Sequence, residues 1–183
     1  MVNMEWVRTF EAWLPELQEA IPPALELVTQ GRDDVVGVAL FTDSDGRTLQ
    51  PAALTRSHRD EIAAEYPEWA VLNAWDPDEW DLFLGPRQVT GLDTVMKKVG
   101  AFADAVDESQ WFSFTILAYN WMVEGMKNLA LEGFWDATYR DANVAFWVTD
   151  TRVDRENMID WIRLFNPPER SAPYVAHLRE HGL

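Results

Sequence analysis

The stretch Val35–Leu54, VVGVALFTDSDGRTLQPAAL, constrains the fold more than any other part of the chain. Val35–Thr42 is a run of β-branched and apolar residues, Asp43-Ser44-Asp45-Gly46 has the composition of a turn, and Thr48-Leu49 lead on to Pro51. Two strands joined by a tight turn need that order of elements. The first strand is apolar on both faces, with Val36, Val38 and Leu40 on one and Val35, Ala39 and Phe41 on the other. Such a strand has to be covered on both sides, which puts it at the centre of a sheet. Proline cannot donate to a ladder, so Pro51 predicts that the second strand is an edge or stops there.

Helical periods and short strands surround this hairpin. Asn3 is placed to cap a first helix carrying Trp6, Phe10, Trp13, Leu14 and Leu17, and Pro15 with Pro22-Pro23 predicts two helical pieces ending near Gly31. Ser57 with Asp60 resembles a capping box for a short helix closed by Pro67, and Glu68–Asn73 predicts a third strand. Leu92, Val95, Met96, Val99, Phe102 and Val106 mark an amphipathic helix. Ser109–Leu131 is apolar nearly all round, which predicts the most buried helix, with Gly133 at its end. Asn143–Thr149 predicts a fourth strand, again apolar on both faces. Thr151 with Asp154 then predicts a cap for a helix stopped by Asn166-Pro167-Pro168, and a last helix is expected from about Pro173 to His181. The expected fold is α+β: one small, mostly antiparallel sheet of four to five strands covered by several helices. The 183 residues are read as a single domain, with residues 1–31 as a helical segment packed on it.

Charge narrows the partners. The chain has 31 acidic against 15 basic residues, a net charge of −16, which repels nucleic acid and anionic membranes and favours a basic partner. Its lack of cysteine excludes disulfides, thiolate metal sites and a cysteine nucleophile, and suits a reducing compartment. Glu5 and Glu11 interrupt the N-terminus where a signal peptide needs an apolar core, and the uncharged run Ser109–Val123 falls short of the ~20 residues of a membrane span. A cytoplasmic location is expected.

Three short patterns carry chemistry. In Trp75-Asp76-Pro77-Asp78-Glu79-Trp80, Asp76 suits an N-cap, Pro77 the first helical position and Glu79 the third. Trp75 and Trp80 would then form a hydrophobic staple, so starting a helix accounts for the whole hexapeptide. The same segment is also the candidate partner site, because the carboxylates of Asp76, Asp78, Glu79 and Asp81 beside two indoles can receive an arginine or lysine. Asp43 and Asp45 join the candidate set. Their Asp-x-Asp-Gly invites a calcium reading, but an EF-hand needs glycine where Thr48 stands and glutamate where Leu54 stands, so the stretch is read as a turn. His177-Leu178-Arg179-Glu180-His181 matches an inverted zinc-protease motif without an evident third ligand. No nucleophile elbow or phosphate-binding glycine loop is present. Neither a catalytic residue nor a metal or other cofactor is assigned.

The order of these signals resembles the bacterial DUF 4303 domain family. The resemblance rests on the strand into Leu40-Phe41-Thr42-Asp43-x-Asp45-Gly46, the W-x-P-x-E-W segment at Trp75–Trp80, and the helix ending near Glu132-Gly133-Phe134. It continues in Phe146-Trp147-Val148-Thr149-Asp150 and the close Leu164-Phe165-Asn166-Pro167, and spans about residues 20–168. The family implies no established activity and no catalytic residues. Related small acidic α+β proteins are often immunity partners of bacterial toxins. The leading expectation is therefore a non-catalytic binding protein of the immunity type, neutralising a toxin through an acidic, tryptophan-rich surface. A small-molecule or regulatory module, with its pocket between the sheet and the 109–131 helix, is the alternative, and a carboxylate-based hydrolase the second alternative.

Overall fold

In the computed structural model, which describes residues 3–149 and 155–180, the sheet has four strands in the order β3-β2-β1-β4. These are β1 (Val35–Thr42), β2 (Gln50–Thr55), β3 (Leu82–Phe83) and β4 (Asn143–Val148). β1 is central, as its two apolar faces require. It pairs antiparallel with β2 and parallel with β4, and β2 pairs antiparallel with β3, so the sheet is mostly antiparallel with one parallel pair that makes it mixed. The parallel pair follows from the long helical crossover between the two strands, which a hairpin turn cannot replace.

Pro51 neither ends β2 nor makes it an edge. Paired with Leu40, it turns its carbonyl away from β1 to accept from the Leu84 N–H at 3.2 Å. Its imide nitrogen points the same way, outside the β1–β2 ladder, and the β3 pairing begins only at Ala52 and Ala53. The missing N–H costs the sheet no bond.

Eight helices are described: α1 (Met4–Val28), α2 (Arg56–Glu65), α3 (Ala70–Asn73), α4 (Thr90–Ala103), α5 (Trp111–Leu131), α6 (Phe134–Thr138), α7 (Arg155–Phe165) and α8 (Pro168–Glu180). α1 begins at the Asn3 cap, whose Oδ1 accepts from the Glu5 N–H at 2.9 Å, and runs unbroken through all three prolines. Pro15, Pro22 and Pro23 lie off the buried stripe formed by Leu17, Ala20, Ile21, Ala24 and Leu25. Packing of that stripe holds the helix together where local propensity would divide it. α2 starts two residues before the expected box, with the Thr55 hydroxyl accepting from the His58 N–H. α5 contributes ten buried residues and ends, as the glycine predicts, at a left-handed Gly133 with φ +79°.

Two further expectations fail locally. Glu68–Asn73 is a 3₁₀ turn followed by α3 rather than a strand, because Pro67 opens a helical turn and no neighbouring strand pairs with it. Short apolar runs leave helix and strand unresolved by period alone. α8 starts at Pro168, not Pro173; Pro168 takes the first helical position and Pro173 faces solvent. The Thr151–Asp154 cap lies outside the described residues.

The core has three parts. The main one joins α1, α4 and α5 to one face of the sheet through Val38, Leu40, Ala53, Val144 and Phe146. On the opposite face, Trp80 packs with Val36, Ala39, Ala52, Leu54 and Ala145. Trp75 belongs to a third cluster with Ile159, Ile162, Tyr174, Val175 and Leu178.

Candidate functional site

The Trp75–Asp81 segment does not start an α-helix. Pro77–Glu79 is a single 3₁₀ turn, and Trp80 is already extended at φ −85° and ψ 153°. Asp76 caps it as expected, its Oδ1 accepting from the Asp78 N–H at 3.0 Å. The reason the helix stops is tertiary. The two indoles go to different clusters, so they cannot meet as a staple. Trp75 stacks on Tyr174 with ring centroids 5.5 Å apart, while Trp80 lies over Gly37, where an added Cβ would come within 3.0 Å of its ring. The Trp80 Nε1–H donates to the Asn73 carbonyl at 3.1 Å. Both rings are nearly buried, at 3% and 5% exposure, and are held by the core.

The four carboxylates of the segment separate by role. Asp81 is structural: it accepts from the Thr55 N–H at 2.9 Å and the Thr55 hydroxyl at 2.7 Å, with Arg32 Nη2 3.7 Å away. It fixes the end of β2 to the start of α2. Asp78 and Glu79 are exposed. Asp78 accepts from the Trp147 Nε1–H at 3.2 Å, which ties the corner to β4. The Glu79 backbone carbonyl lies 3.0 Å from His58 Nε2. Asp76 is half-withdrawn from water, and burial pushes its carboxyl up to about 6. The Asp78 N–H opposes that rise, while the charges of Asp78 and Glu79 add to it.

Asp43 and Asp45 are not brought to this corner. Asp43 closes its own turn, accepting at Oδ1 from the Asp45 N–H at 3.0 Å and the Arg47 N–H at 2.9 Å, and at Oδ2 from the Thr48 hydroxyl at 2.7 Å. The Tyr119 hydroxyl donates to the Ser44 carbonyl at 2.6 Å, and Gly46, with φ +68°, packs under Ala118 of α5. The turn thus leans on the α5 side of the sheet, while Trp80 covers the opposite face. Only Asp45 of the pair is exposed. Among the described residues, no three histidine, aspartate or glutamate side chains converge as metal ligands, and His181 of the H-x-x-E-H pattern lies outside those residues.

The strand-turn of β1, the Trp75–Trp80 corner and the Asn166-Pro167 close all fall inside one match: the model for the domain of unknown function DUF4303 covers residues 17–167. The chain belongs to the DUF4303 family. No curated protein and no solved structure matches it. No helix of this DUF4303 protein, among the described residues, is long and apolar enough to cross a membrane.

The sequence pattern did not point to a second concave region of the DUF4303 fold. A cleft of about 700 Å³ lies between the C-terminal part of α1 and the segment from α6 to the start of β4. Glu26 and Thr29 line one side, and Phe134, Asp136 and Tyr139 the other. It is not the expected pocket between the sheet and α5, where Phe114, Ala118 and Met122 are packed into the main core with Leu40 and Phe146. The run Phe134-Trp135-Asp136-Ala137-Thr138-Tyr139-Arg140-Asp141 was the available signal, because it interleaves rings with charges just after a helix stop.

Proposed function

We propose that this DUF4303 chain is a non-catalytic bacterial binding protein of the immunity type, which neutralises a basic toxin in the cytoplasm through its acidic surface. The observation that carries this reading is the Asp76–Glu79 corner. Three carboxylates sit within four residues, two of them exposed, with no Lys or Arg among the described residues paired to them. Burial first, and then the charges of Asp78 and Glu79, raise the Asp76 carboxyl, so an arriving guanidinium or ammonium offsets negative charge that the corner holds unfavourably. The net charge of −16 supplies the longer-range steering. Since Trp75 and Trp80 are core residues, the apolar contacts fall to exposed aromatics nearby in sequence, Trp69 at 48% and Phe83 at 65% exposure.

Co-expression with the product of the neighbouring gene tests the reading. Growth arrest by that product, relieved by this chain, is the expected result; arrest that this chain leaves unrelieved overturns it. The doubly reversed variant Asp78→Lys/Glu79→Lys should then bind the toxin at least about tenfold more weakly, the scale of losing one charge pair at an interface. Its melting temperature should fall only slightly, since neither side chain is buried and Asp78 gives up one exposed hydrogen bond, from the Trp147 Nε1–H.

A further inference from the structure

The cleft between α1 and α6 is a second feature, independent of the Asp76–Glu79 corner. Its volume of about 700 Å³ lies within the ~300–1,000 Å³ range of small-molecule sites. Phe134 and Tyr139 stand 5.9 Å apart with their planes at 72°, so the two rings form walls meeting at a steep angle. Both are half-buried, and behind them Trp135, 4% exposed, donates its Nε1–H to the Met126 carbonyl at 3.1 Å. The walls are thus anchored to the end of α5. Across from them stand Glu26 of α1 and Thr29, the C-cap of that helix. Burial, and after it the nearby Glu26 charge, raises the Tyr139 phenol above its ordinary value.

The charges of the lining do not cancel. Glu26, Asp33, Asp136 and Asp141 carry four negative charges, and Arg140 and Arg32 two positive ones. Arg32 is further drawn away, lying 3.9 Å from Asp34 and 3.7 Å from Asp81. Aromatic faces and uncompensated carboxylates attract the same kind of guest. Ring quadrupoles favour a cation over the ring face, and soft organic cations lose less hydration there than sodium does. An anionic ligand would meet repulsion, and a neutral apolar one would leave the carboxylates unused.

We propose that this cleft binds an organic cation, an alkylammonium or guanidinium group, seated against the Phe134 and Tyr139 rings within reach of the Glu26 and Asp136 carboxylates. The group can come from a free polyamine or from a lysine or arginine side chain of a protein. Calorimetric titration of the full chain with spermidine, and separately with an end-capped peptide bearing one arginine and one lysine, distinguishes these two sources. Saturable binding of either at constant ionic strength, in excess over sodium, is expected. Glu26→Gln/Asp136→Asn alters two exposed side chains and should lower the affinity at least about tenfold, as should Tyr139→Leu. The control Glu108→Gln/Glu132→Gln removes two exposed charges outside the cleft and should leave affinity within about twofold. Equal losses in the cleft and control variants would show diffuse screening by an acidic surface and overturn the proposal, as would failure of both probes to bind. Circular dichroism of each variant confirms that the comparison is between folded proteins.

Discussion

Asp76 shows how one carboxyl can serve a turn and oppose the fold at once. It caps the 3₁₀ turn, yet its proton is held up to about pH 6 against an ordinary 3.8, with burial the first cause. The folded carboxyl therefore binds its proton more tightly than the unfolded one. Its contribution to stability is fully present below about pH 4 and is lost as pH rises through about 6. Allowing for its partial exposure, the loss is on the order of 1–2 kcal/mol. Asp76→Asn keeps an oxygen to accept from the Asp78 N–H and removes the charge. That variant should be more stable than the parent at pH 7 by about 1 kcal/mol, with the advantage vanishing near pH 4. Chemical denaturation at several pH values reads both. Alanine at the same position is less informative, since losing the cap and losing the buried charge act in opposite directions.

At the scale of elements, the edge of the sheet depends on one side chain. β4 is the outer strand, and Asn166, at the end of α7, takes the place of a fifth strand. Its Oδ1 accepts from the Val144 N–H at 2.8 Å, and its Nδ2 donates to the Val144 carbonyl at 2.7 Å and the Ile162 carbonyl at 2.8 Å. Asn166 is 6% exposed, so these groups have no ready access to water. Asn166→Ala should destabilise the protein by about 2–4 kcal/mol, from leaving a buried donor and acceptor at Val144 unpaired. Asn166→Asp should cost at least as much at pH 7, because it keeps the acceptor but turns a buried carboxylate oxygen on the Val144 and Ile162 carbonyls; thermal unfolding of both variants measures this. This contact also marks what the sequence could show. The Asn166-Pro167-Pro168 stop was legible from backbone chemistry alone, but the partner of the Asn166 amide lies 22 residues away and leaves no local trace. For the same reason β1, β4, α4 and α5 were legible from period and flanking glycine, whereas the Trp75–Trp80 corner was not. Its capping residues pointed to a helix, and only the separate burial of its two rings decides for a turn. The unbroken α1 is the converse case, a local signal overruled by packing along its whole buried stripe.

For the whole molecule, 31 acidic against 15 basic residues bear on stability as well as on recognition. The ion pairs that form are mostly exposed and local, such as Lys97 with Asp93 and Lys127 with Glu124 on adjacent helical turns. Pairs of that kind contribute a few tenths of a kcal/mol each. Among the described residues they are outnumbered by carboxylates with no ion-pair partner, so repulsion outweighs attraction and salt weakens the repulsion more than it weakens the pairs. Raising sodium chloride from about 0.02 M to about 0.5 M, which shortens the screening length from roughly 20 Å to roughly 4 Å, should raise the melting temperature at pH 7. A fall in melting temperature would mean that the ion pairs dominate instead. The same salt series should weaken capture of a basic toxin, because the field that destabilises the free protein is the one that draws the partner in. Stability and affinity are thus expected to move in opposite directions with ionic strength, and measuring both on one preparation tests whether a single charge distribution governs them.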